Sequence, residues 1–331
     1  MTWSRRWLEH GEPFIALRRK VIKMTDIGTI DRTALLTLPL LDLMQEANRT
    51  RKEFIGTALD LCSIINAKSG QCSEDCKFCA QSSRHATAIT TYPLKSKKEM
   101  VDAAERAQQI GAGRFGIVCS GNKPSATELA IIAETVSEIN SRVGLKTCAS
   151  LGALSLQELQ ALKDAGLSRY HHNIETSRSF YSRIVSTHSF DERLRTITAS
   201  HEAGLAVCSG GILGMGEDWD DRIDMALLLK DLPVDSVPIN ILVPIPGTPL
   251  AEQQPMSCND AIRALCIFRI ILKDKIIKIA AGRETVLKDF QAMGFMAGAN
   301  GMIIGGYLTI KGREVEADQQ LIKEIQALWE A

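Results

Sequence analysis

The spacing of apolar positions changes once along this chain, near residue 59. Before that point it is helical. Leu40, Leu43, Met44 and Ala47 recur at i, i+3, i+4 and i+7, the period of one helix face. Pro39 suits the first turn of that helix, and Gly56, beyond the polar run from Asn48 to Glu53, suits its stop. Afterwards short apolar runs alternate with amphipathic stretches. The runs at 60–67, 114–119, 146–150, 169–173, 206–211, 236–243, 276–281 and 301–305 predict eight strands. Capping boxes open several of the intervening helices: Ser96 with Glu99, Ser125 with Glu128, Ser155 with Glu158. Gly113, Gly144, Gly166 and Gly204 stand where helices would close before the next strand. A helical period returns from Glu316 to Trp329. Eight strand–helix units over about 250 residues predict an α/β fold of the (β/α)8 TIM-barrel type. The barrel is expected over residues 59–331, behind an N-terminal helical extension over residues 1–58. An open doubly wound sheet is the competing arrangement, but no G-x-G-x-x-G follows the first strand.

Composition changes this picture little. The 331 residues are 45% apolar and 24% charged, enough to bury a sizeable core. Basic and acidic residues balance at 39 each, so no net field favours nucleic acid, and no polybasic run favours a membrane surface. No apolar run approaches the ~20 residues of a membrane helix. The stretch from Met1 to Lys23 mixes Arg5, Arg6, Arg18, Arg19 and Lys20 with Glu9 and Glu12 and holds no apolar h-region, which argues against a secretory signal. Nine cysteines form an odd set in a chain far larger than a small secreted scaffold. That points to a cytoplasmic protein with metal-binding cysteines rather than disulfides.

The cysteines carry the candidate chemistry. Cys72, Cys76 and Cys79 are spaced C-x3-C-x2-C, one thiolate short of a closed four-ligand site. A cubane [4Fe–4S] cluster takes four thiolates, so three leave one iron open to a ligand. A zinc site would need a fourth ligand, with His85 nearest, and structural zinc favours paired C-x2-C units. Three unligated thiols are the remaining alternative. Barrel chemistry sits at the C-terminal ends of the strands, and the triplet follows the first strand. Cys62, Cys148, Cys208 and Arg283 stand on or just past the first, third, fifth and seventh predicted strands. Alternate strands feed one interior layer, so these four could meet at a second iron–sulfur site. Alternatively, each Cys is a small apolar core residue.

The triplet, with Phe78 just before its third Cys, resembles the radical S-adenosylmethionine (radical SAM) enzymes. Further runs narrow the resemblance to the biotin synthase family: Asn66-Ala67-Lys68-Ser69-Gly70, Cys208-Ser209-Gly210-Gly211-Ile212, Val237-Pro238-Ile239-Asn240, Gly247-Thr248-Pro249-Leu250, Ala281-Gly282-Arg283-Glu284 and Met296-Ala297-Gly298-Ala299-Asn300. The resemblance implies a [4Fe–4S] cluster on Cys72, Cys76 and Cys79 whose open iron chelates SAM. It implies one-electron cleavage of SAM to methionine and a 5′-deoxyadenosyl radical, and sulfur insertion into dethiobiotin. It implies an auxiliary iron–sulfur cluster held by Cys and one Arg, an electron donor protein, and a homodimer. Cys148, Cys208 and Arg283 match auxiliary ligands. The family's further Cys, after Arg-Phe on the second strand, is Gly116 here. Cys62 is the expected substitute and Cys119 a weaker one, so the type of auxiliary cluster stays open.

The remaining carry-overs concern the ligands. Phe78 and Ile212 would flank adenine, Asn173 and Glu175 would meet the ribose, and Arg193 the SAM carboxylate. Asn240 would contact the ureido ring of dethiobiotin and Thr309 its carboxylate. His171 stands where the family has Asn. Asn173 and Asn240 could instead bond local backbone, and His171 and His172 could be structural or metal ligands. Cys258 and Cys266 read as core or surface thiols. A related radical SAM barrel of the maturase or mutase type, and a zinc-stabilised binding barrel, are the competing functions.

Overall fold

The computed structural model describes residues 31–309 and 312–330. Residues 1–30 of the expected extension lie outside the described residues. The chain divides at Pro39 into two units. The first contributes helix α1 (Arg32–Thr37), whose N-cap Asp31 accepts the Ala34 N–H. The second unit begins with helix α2 (Leu40–Phe54), which buries Leu43, Met44 and Ala47 of the predicted face.

Strands β1 (Asp60–Lys68), β2 (Arg114–Cys119), β3 (Lys146–Ser150), β4 (Arg169–His171), β5 (Ala206–Cys208), β6 (Gly211–Leu213), β7 (Ser236–Ile241), β8 (Ile276–Ile279) and β9 (Gly301–Ile303) form one parallel sheet. Its order is β5-β4-β3-β2-β1-β9-β8-β7-β6, and a β5–β7 pairing through Cys208 and Ser236 closes it into a barrel. The fold is therefore the predicted (β/α)8 barrel, with one stave broken in two. The run 206–211 does not form a single strand because the backbone bends at Ser209-Gly210 to pass β7 closely. A Cβ on Gly210 would lie 2.0 Å from the Pro238 carbonyl oxygen, and one on Gly211 2.2 Å from that of Glu175. Only glycine permits such an approach.

Helices pack outside the staves. The three predicted capping boxes form at α3 (Lys97–Gln109), α4 (Ala126–Glu138) and α5 (Leu156–Asp164). Two more, Ser189 with Glu192 and Asp218 with Asp221, open α7 (Phe190–Glu202) and α8 (Trp219–Asp231). The short α6 (Arg178–Tyr181) precedes α7. The chain ends on α9 (Cys258–Leu272), α10 (Arg283–Val286), α11 (Gln291–Met296) and α12 (Val315–Glu330).

Strand alternation sorts the side chains. Phe115, Ile117 and Ile277 are buried, while Gly116, Val118 and Lys278, between or beside them in sequence, line a central cavity. A lysine in the apolar run of β8 is thus an interior residue, which the cavity must accommodate.

One buried cation ties the outer layer to the barrel floor. Arg269, near the end of α9, is fully buried. Its guanidinium donates to the carbonyls of Gly298 (2.6 Å), Lys273 (2.6 Å) and Lys275 (2.9 Å), and to Asn300 Oδ1 (2.7 Å). Burial, then the Arg51 charge, lowers its pKa to about 9. The same Asn300 oxygen receives the Ile277 N–H, so helix, loop and β8 share one knot. Arg269→Met is expected to lower stability by about 3 kcal/mol, because it strands several buried acceptors at once. The urea midpoint of the two proteins measures this.

Candidate active site

The loop after β1 folds back on itself. Cys72 N–H donates to the Gln81 carbonyl (3.1 Å), Ser83 N–H to the Cys72 carbonyl (2.8 Å), and Cys79 N–H to the Cys76 carbonyl (2.9 Å). Cys72, Cys76 and Cys79 thereby line one cavity of about 210 Å³ at the barrel mouth. Burial pushes the Cys76 thiol well up and Cys79 to about 11, and neighbouring thiols add to both shifts. Such thiols ionise only against a strong cation, which the iron of a cluster supplies. A cubane takes one thiolate per iron, so its ligands spread over corners rather than converging on one point. Among the described residues no three His, Cys, Asp or Glu side chains converge on a single ion. His85 Nδ1 lies 2.9 Å from the Cys79 carbonyl oxygen.

Four other predicted residues share this cavity: Phe78, Asn173, Glu175 and Arg193. Asn173 Oδ1 accepts the Gly210 N–H (3.0 Å) and its Nδ2 donates to Glu175 Oε2 (3.2 Å). Glu175 has φ +70°, a left-handed backbone that costs a non-glycine residue energy and is concentrated at functional sites. Arg193 is buried. Its Nε donates to the Tyr181 hydroxyl (2.7 Å), its Nη1 to the Asn173 carbonyl (3.0 Å), and Nη1 lies 3.6 Å from Glu175.

A second cavity, of about 370 Å³, lies deeper in the barrel and shares a wall with the first. Phe78, Val118, His171, Asn173, Glu175 and Leu308 line both. Ile212, Asn240 and Thr309 line the deeper one. Burial drives the His171 pKa to about 4, so its ring is neutral. Asn240 spans two neighbouring strand ends: Nδ2 donates to the Gly211 carbonyl (3.1 Å) and Oδ1 accepts the Ala281 N–H (3.2 Å).

Cys62, Cys148 and Cys208 all line this deeper cavity. Burial first, then the nearby Asp60 and Cys148, lift the Cys62 thiol to about 12 against the pull of Lys278. Arg283 does not join them, and the expectation that it does is corrected. It is fully buried elsewhere, at the start of α10. Its Nη2 donates to Asp318 Oδ2 (2.6 Å), its Nε to the Tyr307 hydroxyl (3.0 Å), and its Nη1 to Gln291 Oε1. Its guanidinium is held by Asp318 of α12 and does not line the cavity. The cations that do face the thiols are Lys278 and Arg169, which the sequence reading missed. Lys278 Nζ stands 2.6 Å from Cys62 Sγ and 2.8 Å from Asp60 Oδ1. Arg169 Nη1 is 3.4 Å and Arg114 Nε 3.6 Å from Asp60 Oδ2. Burial favours a neutral Asp60, but Lys278, Arg169 and Arg114 overcome it and hold its pKa to about 2. One carboxylate against three cations leaves surplus positive charge under the thiols. Arg169 Nε is also buried without a hydrogen-bond partner. Both features fit an anionic iron–sulfur group on the three cysteines.

Gly116 lines the same cavity, opposite Ile64 of β1. Cys119 does not. It lines the mouth cavity with the triplet, where burial raises its thiol to about 12.

The sequence matches known families over most of its length. Residues 68–229 match the radical SAM superfamily, and residues 238–327 the biotin and thiamin synthesis associated domain. The biotin synthase of Thermotoga petrophila is 48% identical over 89% of this chain and 97% of its own length. That of Thermotoga neapolitana is 51% identical over 82% of this chain and 97% of its own. Among solved structures, methylornithine synthase superposes with a TM-score of 0.79 at 20% identity, over 95% of this chain and 99% of its own. The hydrogenase maturase HydG of Carboxydothermus hydrogenoformans gives 0.77 at 18%, over 94% of this chain and 79% of its own, so both show a shared fold alone. The chain belongs to the biotin synthase family of radical SAM enzymes.

Proposed function

We propose that this chain makes biotin from dethiobiotin, with a [4Fe–4S] cluster and SAM at the mouth and a second, sulfur-donating iron–sulfur cluster below. The observation that carries this reading is the shared wall between the two cavities. One holds the triplet, the other three thiols over a cationic floor. When bound, the mouth cluster supplies the electron that cleaves SAM, and the deeper one the sulfur.

The chain's own residues have separable tasks. Cys72, Cys76 and Cys79 bind the mouth cluster. Arg193 pairs with the SAM carboxylate, and Asn173 and Glu175 accept from the ribose hydroxyls. Phe78, on the shared wall, packs against the adenine, with Ile212 on the deeper side. Cys62, Cys148 and Cys208 hold the auxiliary cluster, and Lys278 and Arg169 balance its charge. Asn240 and Thr309, lining the deeper cavity, face the ureido and carboxylate ends of dethiobiotin. The buried walls exclude water from the radical. The electron requires a donor protein. That donor and a homodimeric assembly are supported by the family resemblance. No helix among the described residues is long and apolar enough to cross a membrane, and a set of free thiols suits the cytoplasm.

Three outcomes test the reading. Cys72→Ala, Cys76→Ala and Cys79→Ala are each expected to abolish SAM cleavage, measured as 5′-deoxyadenosine under reducing, anaerobic conditions. Normal deoxyadenosine from any of them removes the central claim. Cys62→Ala is expected to lose auxiliary iron and biotin formation while still cleaving SAM, and Cys119→Ala to keep the auxiliary iron. Iron content and Mössbauer spectra read both, and the reverse pattern assigns the ligand to Cys119. Asn240→Ala is expected to weaken dethiobiotin binding about ten-fold and SAM binding less, the loss of one to two hydrogen bonds. Titration calorimetry with each ligand decides, since equal losses point to damage where Asn240 bridges Gly211 and Ala281.

A further inference from the structure

Two carboxylates lie between Cys72 and Cys76, Glu74 and Asp75, and neither is used as a ligand above. Both reach the same short segment, just before α7. Asp75 Oδ1 accepts the N–H groups of Ser186 (2.9 Å) and Thr187 (3.2 Å) and the Thr187 hydroxyl (3.0 Å), and its Oδ2 accepts the Ser186 hydroxyl. Lys77 N–H donates to the Ile184 carbonyl (3.0 Å). The segment 184–188 thus runs along the three-cysteine loop as a brace.

Its last residue reaches further. His188 Nδ1 lies 2.6 Å from Glu74 Oε2, and its Nε2 lies 2.8 Å from Arg193 Nη2. A guanidinium has only donors, so His188 Nε2 must be the acceptor. The ring proton then sits on Nδ1 and is donated to Glu74. A doubly protonated ring would set N–H against N–H at Arg193. One tautomer therefore satisfies both partners. Burial, then the Arg193 charge, lowers the His188 pKa, in keeping with a neutral ring. Tyr181 fixes the pair from the side: its ring stands edge-on to His188 with centroids 6.1 Å apart, and its hydroxyl holds Arg193 Nε. Glu74, His188 and Arg193 all line the mouth cavity.

We propose that His188, as the neutral Nδ1–H tautomer, is a positioning residue that ties the three-cysteine loop through Glu74 to Arg193 and so sets the spacing between cluster and SAM. The inference rests on the SAM reading of the mouth cavity. Without His188 the loop keeps its Asp75 anchor, but Arg193 loses the partner of Nη2 and the loop loses its link to the opposite wall. Both SAM affinity and retention of the cluster then fall.

The test uses the full chain with its cluster reconstituted anaerobically. Equilibrium dialysis measures the SAM dissociation constant, and iron release to a chelator measures how firmly the loop holds its cluster; neither needs turnover. His188→Leu keeps bulk and removes both bonds. His188→Gln offers one donor and one acceptor in their place. His188→Leu is expected to raise the SAM dissociation constant on the order of ten-fold and to hasten iron release, with His188→Gln regaining most of each. Wild-type values for His188→Leu overturn the inference, and so does a His188→Gln no better than Leu, since bulk alone would then matter. If His188→Leu does not fold, His188→Gln decides alone: near wild-type SAM binding supports the role of the two bonds, and a ten-fold loss overturns it. A wild-type protein with its cluster in place that binds no SAM overturns the functional reading, and this inference with it.

Discussion

The site depends on one interaction at the base of the barrel, the Asp60 carboxylate among Lys278, Arg169 and Arg114. These groups come from β1, β8, β4 and β2, so one half-buried anion gathers four staves. Three cations in an interior would repel each other and face a large desolvation cost. Asp60 offsets part of that and leaves the rest as positive potential beneath Cys62, Cys148 and Cys208. The barrel floor is thereby incomplete without negative charge above it. Apolar packing alone would produce a barrel; this arrangement produces a receptive one.

Much of the architecture was legible in the sequence because local chemistry and global fold agree. The apolar runs gave seven of the staves, and Ser–x–x–Glu pairs marked helix starts that the structure reproduces. The 206–211 run misled because strand period says nothing of how closely β7 passes; the Gly210-Gly211 pair was the available signal. Arg283 misled for a different reason. A position just past a strand end need not face the cavity, and its partner Asp318 lies 35 residues later, on α12. Lys278, five residues earlier, was readable. It alternates with Ile277 and Ile279 in an apolar strand, and a charge there points inward or not at all. The link from Glu74 to His188, 114 residues apart, has no sequence period and needed coordinates.

Family and fold speak at different levels here. Methylornithine synthase and HydG share the barrel at 20% and 18% identity, which says that the scaffold carries several chemistries. Identity near 50% to biotin synthases extends over both the SAM-binding half and the C-terminal domain. Within that family relation the site is not a copy of the expected pattern. Glycine stands at 116, and the cations that face the thiols are Lys278 of β8 and Arg169 of β4.

The pairing of Ile64 with Gly116 constrains how such a site can be rebuilt. A Cβ on Gly116 would lie 3.0 Å from Ile64 Cγ2, tighter than ordinary contact. The two neighbouring strands therefore share one volume, and a side chain gained on one must be met by a small shift of the other. A cysteine at 116 requires Ile64, whose side chain also borders the deeper cavity, to yield by a few tenths of an ångström. A thiol at 116 is thus coupled to the shape of a neighbour that is not itself a ligand.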